Sequence, residues 1–112
     1  MTQSMQQIWR VVGLIPYGKV ASYGQVADLA GLPGRARLTS KALRGAPKTL
    51  ALPWHRVLRS NGCIAFPSGS KEAKLQYDYL IDEGVFVKNM RISMTDYQWQ
   101  PDMGTILFEL DF

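Results

Sequence analysis

Between residues 22 and 45 the chain reads SYGQVADLAGLPGRARLTSKALRG, and the breaks in that stretch decide the fold. Ser22 stands three residues before Gln25, a capping-box spacing, and opens a helix carrying Val26, Ala27, Leu29 and Ala30 that closes at Gly31. GLPG at 31–34 interrupts the pattern. A second helix follows, with Leu38, Ala42 and Leu43 turned toward a core, while Arg37, Lys41 and Arg44 fall at i, i+4 and i+7 on another face. Two short helices across a tight Gly/Pro turn, the second of them basic, form a helix-turn-helix pattern.

The flanking segments complete the expected architecture. Met5, Ile8, Trp9, Val12 and Ile15 recur at helical spacing, so residues 4–14 read as an amphipathic helix ended by Pro16 and Gly18. Residues 46–70 are rich in Pro, Gly and Ser, and SNG at 60–62 predicts a short β-hairpin between Val57-Leu58 and Cys63-Ile64-Ala65-Phe66. From Lys71 to Glu83 a last helix turns Ala73, Leu75 or Gln76, Tyr79 and Leu80 inward and stops at Gly84, with VFVK at 85–88 extended beyond it. In the tail, Phe108, Leu110 and Phe112 alternate with Glu109 and Asp111, which is strand-like. The expected fold is mainly α with a short β-hairpin, a winged-helix or helix-turn-helix domain, in a single unit over residues 1–112.

Composition bounds the function. At 112 residues and 46% hydrophobic the chain has material for one core. Its apolar runs, such as Val11 to Pro16, fall far short of the ~20 residues a membrane span needs, and the first residues lack a signal-peptide layout. A cytoplasmic protein with no membrane partner is expected. One cysteine, Cys63, and one histidine, His55, exclude an internal disulfide and a Cys/His structural zinc site, so neither metal nor cofactor is expected. The net charge of +4 is compatible with a polyanionic partner.

The single histidine stands in LPWHRV, residues 52–57. Taken with IPYGKVASYGQVA at 15–27, ARLTSKAL at 36–43 and YLIDEG at 79–84, this motif makes residues 4–100 resemble the DNA-binding, active-site domain of the O6-alkylguanine DNA alkyltransferases. In that family the motif reads Pro-Cys-His-Arg-Val, and its Cys accepts the alkyl group. Here the resemblance puts Trp54 at that position, and an indole has no nucleophile comparable to a thiolate. The chain therefore looks like the alkyltransferase-like proteins, which lack the acceptor cysteine. Such proteins bind double-stranded DNA through the minor groove, rotate an O6-alkylguanine out of the stack, and leave it marked for nucleotide excision repair.

That resemblance assigns roles by position. Tyr23 of SYG would crowd a phosphate and assist rotation, at a helix start where backbone N–H groups favour anions. Arg37 of the Ala36-Arg37 pair would fill the vacated space as a planar finger, with the adjacent Arg35, roughly on the other side of a helix, left open as the alternative. Gly34, Ala36 and Ser40 are small enough for close approach to a narrow groove, and Lys41 and Arg44 would meet phosphate. The family's small Val-Gly-Gly-like stretch is replaced by Thr39, Ser40 and Lys41, and its Asn before Pro47 by Ala46. Trp54, Pro53 and Val57 would wall a lesion pocket, with the FPSGS loop, including Phe66, Ser68 and Gly69, leaving room for bulky alkyl groups. His55 and Glu83 match the family's activating pair and, without a thiol, are expected as hydrogen-bonded support, with Arg56 ordering the loop. The expected partners are lesion-containing duplex DNA and excision-repair damage-recognition proteins, with a monomer as the default state. Two rival functions stay open: an enzyme using His55 with Glu83, or Cys63, and an ordinary winged-helix binder reading the major groove.

Overall fold

Ile8, Trp9, Val11 and Val12 form the buried face of the first helix, α1 (Gln3–Leu14), in a computed structural model that describes residues 3–110. Around this face pack α2 (Tyr23–Leu29) and α3 (Ala36–Arg44), contributing Val26 and Ala42, with the α2 cap residue Ala30, to the same apolar cluster. Trp9 also donates its indole N–H to the carbonyl of Ala42 at 2.8 Å, which fixes α3 to α1 by a bond as well as by burial. The helix-turn-helix forms as the spacing predicts. Ser22 caps α2 by accepting from the Gln25 backbone N–H, but the Gln25 side chain reaches the carbonyl of Trp99 instead, so the capping box is half made.

The predicted hairpin is corrected in its pairing. Gly62 N–H donates to the Arg59 carbonyl and Arg59 N–H to that of Cys63, so the SNG turn is made. Its first arm, β2 (Val57–Leu58), pairs in parallel with β1 (Ala21–Ser22), in the register Ala21 with Val57 and Ser22 with Leu58. The second arm leaves at Cys63 to bridge Arg91. Burial explains the choice: β2 sits at the centre of the molecule, where period-two alternation gives Val57 to the α1–α3 cluster and Leu58 to a second one. That second cluster holds Val20, Ile64, Ala73, Leu80, Val85 and Ile92. Gly62 has φ +88, and a Cβ there would lie 2.1 Å from the Ile92 carbonyl oxygen, so the turn admits only glycine.

The helix α4 (Lys71–Asp82) is capped by Ser70 and closed by a Schellman arrangement. In it Gly84 N–H donates to Ile81 and Val85 N–H to Leu80. Of the two alternatives at its inner face, Gln76 is buried and Leu75 is exposed. Gln76 Nε2 donates to the carbonyls of His55 and Val57, which offsets much of the cost of burying an amide. A short helix, α5 (Met94–Tyr97), follows.

The strand expected in the tail is instead a helix, α6 (Met103–Leu110). A two-residue sheet offers no edge for it, whereas a helix satisfies its own backbone and puts Ile106 and Leu110, four apart, into the α1 cluster. Phe112 lies outside the described residues. No helix among them is long and apolar enough to cross a membrane.

Candidate lesion-binding site

Trp54 opens a single 3₁₀ turn, Trp54–Arg56, between Pro53 and β2, and its other two residues, His55 and Arg56, are fastened by polar contacts. Arg56 supplies most of them. Its Nε lies 2.9 Å from Glu83 Oε1, one terminal nitrogen lies 2.8 Å from Oε2, and the other donates to the Ile15 carbonyl at 2.7 Å. A forked guanidinium on a carboxylate is a directional pair as well as a charged one. Glu83 also accepts from the Gly18 backbone N–H at 2.8 Å and from His55 Nε2 at 2.6 Å. One carboxylate at the end of α4 thereby holds the Trp54 turn and the 15–18 corner together.

Burial by itself raises the pKa of Glu83, but the hydrogen bonds from Arg56, Gly18 and His55 overcome it and hold the carboxyl at about 2, below its ordinary 4.5. Because the folded value is the lower one, the stabilisation is complete above about pH 4.5 and drains away as pH falls toward 2. Urea unfolding of the wild type and Glu83→Gln at pH 7, 4 and 2.5 is therefore expected to show a stability gap that narrows with acid. A gap constant over that range would contradict the network.

The predicted residues divide into distinct groups. Tyr23, Ser40, Arg44, Trp54 and Phe66 come together around one cavity of about 660 Å³, a size suited to a small organic ligand. Leu43, Lys48, Ala65, Pro67 and Glu72 complete its walls. The Trp54 indole is met edge-on by Phe66 at 6.0 Å, Tyr79 at 6.1 Å and His55 at 6.2 Å between ring centroids. Ala36, Arg37 and Lys41 lie apart from it, in an open concavity of about 570 Å³ at the start of α3 with Gly34, Arg35 and Leu38. Arg37 is exposed, and among the described residues its guanidinium has no partner.

Other expected members of the pocket fall elsewhere. Val57 is 1% exposed and belongs to the core, because β2 is central. Pro53 and His55 lie beside Trp54 without lining the cavity, the latter committed to Glu83. Ser68 is exposed, and Gly69 faces a separate shallow cleft with Ser70, Lys74, Tyr77 and Met90, because the FPSGS loop turns away after Pro67. Cys63 is half-buried and does not line the cavity either.

The roles of three residues were not legible in the sequence. Thr39 is fully buried, and its hydroxyl donates to the Tyr23 carbonyl at 3.0 Å, tying α3 to the start of α2. Gln76 clamps the backbone on both sides of Arg56. Lys48 enters the cavity from the 3₁₀ turn Lys48–Leu50, which periodicity does not mark. A polar residue on an otherwise apolar helical face was the available signal for the first two. Burial pushes the Tyr23 phenol above its ordinary pKa, against the pull of Arg59 and Arg44, so at neutral pH its hydroxyl is protonated and able to donate.

The model of the 6-O-methylguanine DNA methyltransferase DNA-binding domain matches residues 3–85. A "DNA base-flipping protein" of Vibrio parahaemolyticus is 40% identical over 102 residues, covering 90% of this chain and 100% of its own. Alkyltransferase-like protein 1 of Schizosaccharomyces pombe is 32% identical over 106 residues, covering 90% of this chain and 98% of its own. The crystal structure of S. pombe Atl1 in complex with damaged DNA containing O6-carboxymethylguanine superposes with a TM-score of 0.79 at 32% identity, over 90% of this chain and 98% of that one.

Proposed function

Because the chain belongs to the family of the 6-O-methylguanine DNA methyltransferase DNA-binding domain, we propose that it binds O6-alkylguanine in duplex DNA by flipping the base, without repairing it. The observation that carries this reading is the aromatic wall of the cavity: an indole, not a sulfur, faces the space beside α3. By the family's motif, Trp54 occupies the acceptor position, and it offers a flat apolar face but no nucleophile to take up an alkyl group. Relatives named as base-flipping proteins, and one crystallised on damaged DNA, support the same conclusion.

In this reading α3 enters the minor groove, with Arg37 filling the gap left by the extruded base, and Lys41 and Arg44 on phosphate. Tyr23, held by Thr39 and donating its hydroxyl, meets the phosphate beside the lesion. His55 and Glu83 serve as framework, and the persistent complex recruits excision-repair damage-recognition proteins. The rival dealkylating reading is disfavoured because neither His55 nor Cys63 lines the cavity.

Titration of matched duplexes carrying guanine or O6-methylguanine is expected to show about tenfold or greater preference for the lesion, which costs less to unpair. With a methyl-labelled duplex and protein in excess, the label is expected to stay on DNA. Label on protein, or released as methanol, would overturn the non-enzymatic part of the reading. Equal binding of the two duplexes would overturn the whole of it.

A further inference from the structure

A second cavity, of about 360 Å³, shares Leu43, Arg44, Lys48 and Trp54 with the first as wall residues. Beyond the shared wall it is apolar, with Ala46, Pro47, Ala51 and Leu52. The charges are unevenly distributed. Arg44 and Lys48 face both cavities, whereas the single carboxylate, Glu72, lines only the larger. Arg44 makes one long contact, 3.5 Å to the Ser40 hydroxyl, and Lys48 has no carboxylate partner among the described residues. Arg59 adds a further positive charge near Tyr23. A substituent lying against Trp54 therefore meets the same two cations whichever cavity it enters.

Resting on the lesion-binding reading above, we infer that this site selects O6 substituents with an anionic end group, carboxyalkyl adducts above neutral ones of equal size. A carboxylate beside Trp54 gains attraction chiefly from Lys48, with Arg44, shared with a phosphate in the same reading, adding less, while the apolar remainder of the smaller cavity takes the methylene. Both cations are exposed, so solvent and salt weaken the gain, and the expected selectivity is about threefold to fivefold.

The test uses four duplexes identical except at one base: guanine, O6-methylguanine, O6-carboxymethylguanine and the uncharged O6-carbamoylmethylguanine. The carboxylate is expected to bind about threefold to fivefold tighter than the amide at low salt, with the ratio shrinking as salt rises. Taking a ratio cancels phosphate contacts common to all four duplexes. Lys48→Glu is expected to bring the ratio to one or below. Equal binding of carboxylate and amide, or a ratio that survives Lys48→Glu, would overturn the selectivity. In either case, lesions still preferred over guanine would leave the parent reading intact. Failure of every lesion to exceed guanine would overturn both.

Discussion

Arg37→Ala is expected to lower affinity for an O6-methylguanine duplex by about tenfold to a hundredfold, and for undamaged duplex by only a few-fold. Extruding a base costs a few kcal/mol of stacking and pairing, and a guanidinium plane that occupies the gap recovers part of that only when a base has left. The side chain is positioned for such a task. It stands in the first turn of α3, exposed and uncommitted. Its helix is anchored by Trp9 on Ala42 at one end and by Thr39 on Tyr23 nearer the other. Removing an unpartnered surface side chain leaves stability within about 0.5 kcal/mol, so lost binding will not reflect lost folding. Arg37→Lys separates charge from shape: it should restore binding to undamaged duplex while recovering little of the lesion preference. A lysine variant as selective as wild type, or an alanine variant weakened equally on both duplexes, would remove Arg37 from the finger role.

The largest effect on stability is expected at Arg56. Arg56→Met should cost about 3–5 kcal/mol, a fall in melting temperature of roughly 12–25 °C, because it leaves the Glu83 carboxylate buried with its forked partner gone. The Glu83 side chain is 7% exposed, so water replaces the guanidinium poorly. The same variant also strands the Ile15 carbonyl. Arg56→Met combined with Glu83→Gln should lose less than the sum of the two single changes, since the second removes the charge that the first leaves unpaired. Simple additivity in urea denaturation would mean that the pair is not coupled.

Where local residues decide local structure, the sequence was readable: the Ser22 cap, the glycine stops, the helical face of α1 and the turn at 60–62 all formed. Long-range competition was not. Val57-Leu58 had a neighbouring partner in the sequence yet joined Ala21-Ser22, because the centre of the molecule rewards an apolar pair buried on both sides. The tail alternated like a strand, but pairing needs an edge, and none was long enough. At the candidate site, the motif brought Tyr23, Ser40, Arg44, Trp54 and Phe66 to one cavity, whereas neighbours in sequence such as Val57 and Gly69 went elsewhere. Adjacency along a loop says little about which way the loop turns.

The two residues of β2 work as a rivet. Val57 is driven into one apolar cluster and Leu58 into the other, so neither half has a wall of its own to keep when the other melts. The helices that would grip the double helix also supply Tyr23, Ser40, Leu43 and Arg44 to the chamber that would receive the damaged base, so a defect in this shared core is expected to cost both together.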